Sequence, residues 1–243
     1  GMFFGYKVLG LYQNADDVAK NPHFADAIPG NLKVLDANGD GTISPVSDFT
    51  VIGNPYPKFN YGITSSMTYK NFDLDFVLAG SYGADMLDAS TASYHNIDGI
   101  FNVLSDVAKR WRSESDPGDW KHPTTAGPSL GRVMYRDVNS LNVFSASYLW
   151  CKNISLQYTL PKGVLDKYFS NIQVYGSVQN AFVFTPYPGN PTGTNYTGAE
   201  GYGSALTPGV DFSNYPTARV FVIGLRLNYQ SPHTIMAKLF RTN

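Results

Sequence analysis

The chain has 243 residues with 18 Lys plus Arg against 19 Asp plus Glu, so its net charge is close to zero. That balance argues against nucleic acid as the main partner, because phosphate binding draws on an excess of Lys and Arg. The single cysteine excludes an internal disulfide, and no apolar run reaches the roughly 18 residues of a spanning helix.

Charged residues make up 15% and aromatics 14%, with 17 Tyr and 23 Gly, a balance that suits extended strands carrying amphipathic rings at an interface. In chain order, residues 3–12 read as a strand weakened by Gly5 and Gly10. A long connection, 13–58, then carries an acidic stretch. Asp36, Asn38 and Asp40 stand at alternate positions before Gly41, Thr42 and Ile43, the spacing that aims oxygens at one calcium ion. Asp48 lies one residue past the place of the bidentate carboxylate, which is Ser47. The candidate calcium ligands are therefore Asp36, Asn38, Asp40, Thr42 and Asp48, and the competing reading is an Asn-Gly/Asp-Gly turn without an ion.

Tyr61, Ile63, Met67 and Tyr69 alternate with Gly62, Thr64, Ser66 and Thr68. After Lys70-Asn71, the residues Phe72, Leu74, Phe76, Leu78 and Tyr82 alternate with Asp73, Asp75, Ala79 and Ser81, which predicts a long hairpin. The longest connection, 84–143, holds Tyr94, Arg110, Trp111, Trp120 and Tyr135. Trp111 and Trp120 are candidate ligand or partner contacts, the alternative being aromatics that fold the loop on itself. His95 and His122 are far apart there and read as separate solvated histidines. Gly127-Pro128-Ser129-Leu130-Gly131 spells a nucleophile elbow, but neither a strand before nor a helix after it supports an esterase serine.

Two more alternating segments follow, around Ile154, Leu156 and Tyr158 and around Ile172, Val174 and Val178. A modest turn, 160–171, separates them. The connection 184–216 offers Tyr187, Tyr196 and Tyr202, of which Tyr187 and Tyr196 are candidate cargo contacts. The clearest strand is the last: Phe221, Ile223, Leu225, Leu227 and Tyr229 share one parity, against Gly224, Arg226 and Asn228 on the other. Ten tilted residues match the length of a barrel strand that crosses a bilayer. The first five are therefore predicted to face lipid, and the tyrosines at strand ends to form an aromatic girdle.

Short and long connections alternate along the chain. If successive strands run antiparallel, every long loop leaves one side and every short turn the other, the arrangement of outer-membrane barrels. The predicted fold is all-β: antiparallel up-and-down strands with long extracellular loops, part of a large transmembrane barrel. Six strands are fewer than the roughly 8 of the smallest barrels, so the chain reads as a piece of one. Gly1-Met2 introduces no export signal, in keeping with a fragment or, equally, with a cytosolic protein. The alternative is a soluble extracellular β module that binds carbohydrate with calcium.

Particular residues resemble a known family. The stretch Gly5-Tyr6-Lys7-Val8-Leu9-Gly10-Leu11-Tyr12-Gln13 is similar to the opening of the last third of SusC/RagA-type TonB-linked outer-membrane transporters. Asp36-Ala37-Asn38-Gly39-Asp40-Gly41-Thr42-Ile43, Val51-Ile52-Gly53-Asn54-Pro55 and Pro57-Lys58-Phe59-Asn60-Tyr61-Gly62 continue the likeness. Leu149-Trp150-Cys151-Lys152-Asn153-Ile154-Ser155-Leu156-Gln157-Tyr158 resembles a later strand of the family, where Arg is commoner than Trp150. Val174-Tyr175-Gly176-Ser177-Val178-Gln179-Asn180 and Tyr215-Pro216 complete the order.

The resemblance implies that residues 1–229 are the C-terminal portion of a 22-stranded barrel in the outer membrane of a Gram-negative bacterium. It further implies a plug and TonB box outside this chain, energy supplied by the TonB complex, and a SusD-like surface lipoprotein as lid. The cargo it implies is oligosaccharide or oligopeptide, with membrane lipid around the barrel and no catalysis; no cofactor is required, and the calcium ion remains a reading of the acidic loop's own spacing. Members of the family usually end on the aromatic of the last strand. Here residues 230–243 continue past Tyr229, an atypical tail.

Overall fold

Alternation with period two is what lets a strand present one apolar and one polar face, and the computed structural model forms strands where that alternation runs. It describes residues 1–97, 100, 102–124, 137–161, 163, 169–192, 208–212 and 217–229. In chain order the strands are β1 (Phe3–Gly5), β2 (Val8–Leu11), β3 (Leu32–Val34), β4 (Thr50–Gly53), β5 (Phe59–Tyr69), β6 (Phe72–Tyr82), β7 (Asp85–Asp88), β8 (Val143–Ser145), β9 (Tyr148–Thr159), β10 (Phe169–Phe184), β11 (Val210–Asp211) and β12 (Val220–Tyr229). Two short helices, α1 (Ala15–Lys20) and α2 (Thr91–Tyr94), lie among them. The chain divides into a sheet unit (Phe59–Tyr82, Tyr148–Thr185, Pro216–Asn243) and a loop unit (Gly1–Lys58, Gly83–Ser147, Pro186–Tyr215).

The sheet unit is one antiparallel sheet in the order β12-β10-β9-β6-β5. Residues paired across neighbouring strands share a face, so the register can be followed from edge to edge. One row runs Met67–Leu74–Leu156–Gly176–Ile223, and the next Ser65–Phe76–Ile154–Val178–Phe221. The opposite face carries Thr68–Asp73–Gln157–Tyr175–Gly224 and Ser66–Asp75–Ser155–Ser177–Val222. The apolar face is open: Ile223 is 88% exposed, Phe221 71% and Tyr229 73%. A soluble sandwich would seal such side chains against a second layer, so the exposure favours the barrel wall over the soluble module.

Aromatic pairs mark both ends of the strands. Phe72 lies 4.6 Å from Tyr158 and Phe169 4.8 Å from Tyr229 at one end, while Phe59 meets Tyr82 at 5.3 Å and Phe182 meets Phe184 at 5.0 Å at the other. Aliphatic rows lie between two aromatic bands, the layout of a girdled barrel wall. The Lys70-Asn71 turn closes the hairpin as predicted. Lys70 takes φ 54°, and Asn71 Nδ2 donates to the Thr159 carbonyl at 2.9 Å. The ends that lead into the long connections, at Phe59, Tyr82, Tyr148, Phe184 and Val220, all lie at the same end of the sheet, as the alternation of loop lengths predicts.

Two strands are longer than the alternation shows. In β9 the register slips so that Val77 pairs with Asn153 but Leu78 with Cys151. Lys152 is the extra residue of a bulge, and it exchanges the parity of everything before it. In β10 the register slips between Gln179 and Phe182, where Asn180 adopts φ 53°. A period count stops at these places although the strand continues.

The sixth strand is a correction. Residues 3–12 form β1 and β2, which pair with β4 and β3 in separate two-stranded sheets of the loop unit. Gly10 sits at φ 148°, and a Cβ on Gly5 would stand 2.1 Å from the Val138 carbonyl oxygen, so neither glycine belongs to a continuous barrel strand. Tyr6 between them is fully buried, edge-on to Phe49 at 4.8 Å and Phe24 at 5.7 Å.

The described parts of the long connections carry cores of their own. Tyr6, Leu11, Leu32, Val34, Ile43 and Trp111 form one core, and Ala84, Met86, Ala146 and Tyr187 a second that includes Met86 of β7. Apolar residues spread over loops that are distant in sequence supply enough buried surface to hold them.

Candidate functional site

The loop unit encloses a cavity of about 410 Å³ whose walls include Leu32, Leu104, Leu141, Phe144 and Pro188. Its polar groups are Asp88, Lys121 and a cluster of His95, Asp106 and His122. Mostly apolar walls with a few convergent polar groups are the usual form of a ligand site.

Local structure fixes each member of the cluster. His95 follows α2, whose Tyr94 carbonyl accepts the Leu104 amide at 2.9 Å. Asp106 stands in the 3-10 turn Ser105–Lys109. The Asp119 amide donates to the Lys109 carbonyl and the Trp111 amide to the His122 carbonyl, both at 2.9 Å, which returns His122 to that turn. Trp111 in turn lies on Gly30, where a Cβ would fall 2.4 Å from the ring and where φ is 85°.

His95 Nε2 lies 3.2 Å and His122 Nε2 3.5 Å from Asp106 Oδ2, and the two rings meet at 80° with centroids 5.3 Å apart. His122 Nδ1 lies 2.7 Å from Asp119 Oδ2, while Asp119 Oδ1 accepts the amides of Lys121 and His122. Burial alone would raise the Asp106 carboxyl, but the facing His95 and His122 hold it below the ordinary carboxylate range. For Asp119, burial is again outweighed, here by the His122 and Lys121 amides and the His122 ring. The expectation of two separate solvated histidines is thus overturned. Nothing in a 27-residue separation announces the meeting; the Asp119-Trp120-Lys121-His122 spacing is the one local signal of it.

The other predicted contacts divide. Trp111 is buried in the first core, and Tyr187 in the second, where its hydroxyl donates to Asp211 Oδ2 at 2.6 Å. Both rings are spent on packing and do not offer an open face to cargo. That is a correction, and its cause is the folding of the loops onto themselves. Trp120 is exposed, at φ 64°. Tyr196, Tyr135, the Ser129 elbow and the tail 230–243 lie outside the described residues.

In the acidic loop, Asp36 accepts the Gly39 and Gly41 amides at 2.7 and 2.9 Å. Asn38 accepts the Asp40 amide at 3.0 Å, and Asp40 the Thr42 amide at 2.8 Å. Asp48 is fully buried, and its two oxygens accept the Ala37 and Ser44 amides at 3.0 and 2.8 Å. Among the described residues, His95, Asp106 and His122 are the one group of three metal-ligating His, Cys, Asp or Glu side chains gathered within 4.8 Å. The carboxylates of Asp36, Asp40 and Asp48 do not converge in that way.

On the polar face of the sheet, Thr68 Oγ1 and Gln157 Nε2 donate to Asp73 at 2.7 and 3.1 Å, and the Ser66 and Ser155 hydroxyls donate to Asp75. Arg226 donates to Gln173 at 3.3 Å, which in turn donates to Thr159 at 3.2 Å. Carboxylates and amides linked in rows across the strands make a wettable wall opposite the apolar one.

No protein-family model matches the chain. It is 30% identical over 233 residues to the TonB-dependent receptor P3 of Formosa agariphila, covering 94% of this chain and 22% of that protein. It is 27% identical over 223 residues to the TonB-dependent receptor SusC of Bacteroides thetaiotaomicron, covering 91% of this chain and 20% of that one. The chain thus spans about a fifth of the length of these relatives. Among solved structures, the RagAB peptide importer in its open-open state superposes with a TM-score of 0.67 at 18% identity, covering 93% of this chain and 22% of that one. A second structure, of the RagAB peptide transporter, gives 0.68.

Proposed function

We infer that this chain, a stretch of a SusC/RagA-type TonB-dependent receptor of the Gram-negative outer membrane, supplies five strands of barrel wall and a folded loop unit to an importer of nutrient oligomers. The observation that carries the reading is the two-sided sheet: Ile223, Leu156 and Met67 of one row are exposed, while Asp73, Asp75 and Gln157 are linked by hydrogen bonds on the other face. Lipid is the solvent that suits the first face and water the second. Both edges agree, since among the described residues β5 and β12 pair on one side only. Apolar edge strands of 11 and 10 residues need further strands beside them.

The loop unit is the part of this chain that would meet cargo and a SusD-like lipoprotein. RagAB, to which the fold is similar, is a peptide importer. The cargo proposed here is an oligopeptide or oligosaccharide, moved without covalent chemistry and with energy from TonB. Uptake of fluorescent oligopeptide and oligosaccharide pools by cells making the receptor tests this. Accumulation of one pool, lost when the proton-motive force is collapsed, is expected. Equal accumulation in cells lacking the receptor would refute it.

A further inference from the structure

We propose that His95, Asp106 and His122 form a binding site for one divalent transition-metal ion, of which zinc is the natural probe. The inference is independent of the import reading, since it rests on side chains of the loop unit alone. Three observations converge on it. The three residues bring ligand atoms within 4.8 Å of one another. The Nε2 atoms of His95 and His122 lie 3.2 and 3.5 Å from the same Asp106 oxygen. Two donors each about 2.0–2.1 Å from a tetrahedral zinc ion stand roughly 3.4 Å apart, so these spacings already suit a shared ion.

The second observation concerns the other nitrogen of His122. Its Nδ1 is 2.7 Å from Asp119 Oδ2, and Asp119 is itself held by two backbone amides at 3.0 Å each. With the Nδ1 proton given to Asp119, the Nε2 lone pair is left to face Asp106. A carboxylate behind a metal-binding imidazole does just this, fixing tautomer and ring orientation. The third is Asp106 Oδ1, which is buried and has no hydrogen-bond partner. A buried carboxylate oxygen without a donor is costly, and a cation on this carboxylate relieves the cost.

Two imidazoles and one carboxylate are the borderline donors that zinc takes, and three protein ligands leave a fourth position open. The three residues line the cavity of about 410 Å³ together with Lys121 and Asp88, so water or an oxygen donor of a bound molecule has room to complete the shell.

The experiment is zinc titration of the desalted full-length receptor in detergent, read by calorimetry and by metal analysis after gel filtration. One zinc per chain is expected. His95→Ala and His122→Ala are each expected to lose about 100-fold or more in affinity, and Asp119→Asn about 10- to 100-fold. X-ray absorption of the unsubstituted chain gives a readout that no variant's folding can confuse. Imidazole scattering with nitrogen or oxygen neighbours at about 2.0–2.1 Å in a four-coordinate shell is expected. A six-coordinate shell of oxygens alone, or stoichiometric zinc retained by both histidine variants, overturns the site.

Discussion

Ile223→Arg in the membrane-embedded protein lowers unfolding stability by about 2–4 kcal/mol, whereas Val222→Arg one residue earlier changes it by less than about 1 kcal/mol. The two positions share β12 and its backbone hydrogen bonds, and differ only in face. Ile223 stands in the row with Leu156 and Leu74, and Val222 in the row with Ser177 and Ser155. A guanidinium among acyl chains must snorkel or draw water after it, while on the wet wall it stays solvated beside Ser177. Urea unfolding of both variants in lipid vesicles, followed by tryptophan fluorescence, measures the difference. Equal penalties at the two positions would mean that the faces have no distinct solvents.

Asp48→Ala opens the loop unit locally, at a cost of about 1.5–3 kcal/mol. The carboxylate is fully buried and accepts the Ala37 and Ser44 amides; Ala37 is exposed and Ser44 half-buried, so water pairs the freed donors and the cost is that of the lost hydrogen bonds. Hydrogen exchange read by mass spectrometry is expected to show loss of protection across residues 36–48, with β9 and β10 unchanged. The same bonds bear on calcium. Asp48 is committed to backbone amides and Ser47 holds no carboxylate, so the loop lacks the bidentate ligand that gives calcium loops their affinity. We propose that the acidic loop is a hydrogen-bonded turn. Calcium titration is expected to give no saturable heat at micromolar ion, and a stoichiometric exotherm there would reinstate Asp36, Asn38 and Asp40 as ligands.

The wall was legible because two-sided strands write their solvents into the sequence at period two. Val220–Tyr229 and the hairpin around Lys70-Asn71 stand where alternation places them. Alternation failed at Lys152 and at Asn180, where a bulge adds a residue and shifts the phase, so β9 and β10 read as shorter than they are. It misled at residues 3–12, whose apolar residues serve the loop core and whose glycines permit sharp departures from a strand.

The loop unit was the least legible part. Its cores join Tyr6 to Trp111, and Met86 to Tyr187, across separations that carry no local period. For the same reason Trp111 and Tyr187 read as free aromatics, and His95 and His122 as strangers. Only folding of the intervening segments brings both imidazoles to Asp106.

The decisive measurement is spin-label accessibility at Ile223 and at Arg226, each replaced in turn by cysteine on a Cys151→Ala background in the membrane-embedded protein. With the apolar face on lipid, the label at 223 collides with dissolved oxygen and is shielded from a water-soluble nickel complex, and the label at 226 shows the reverse. Nickel collisions at 223 equal to those at 226 would place water on both faces and end the reading of this sheet as a membrane wall.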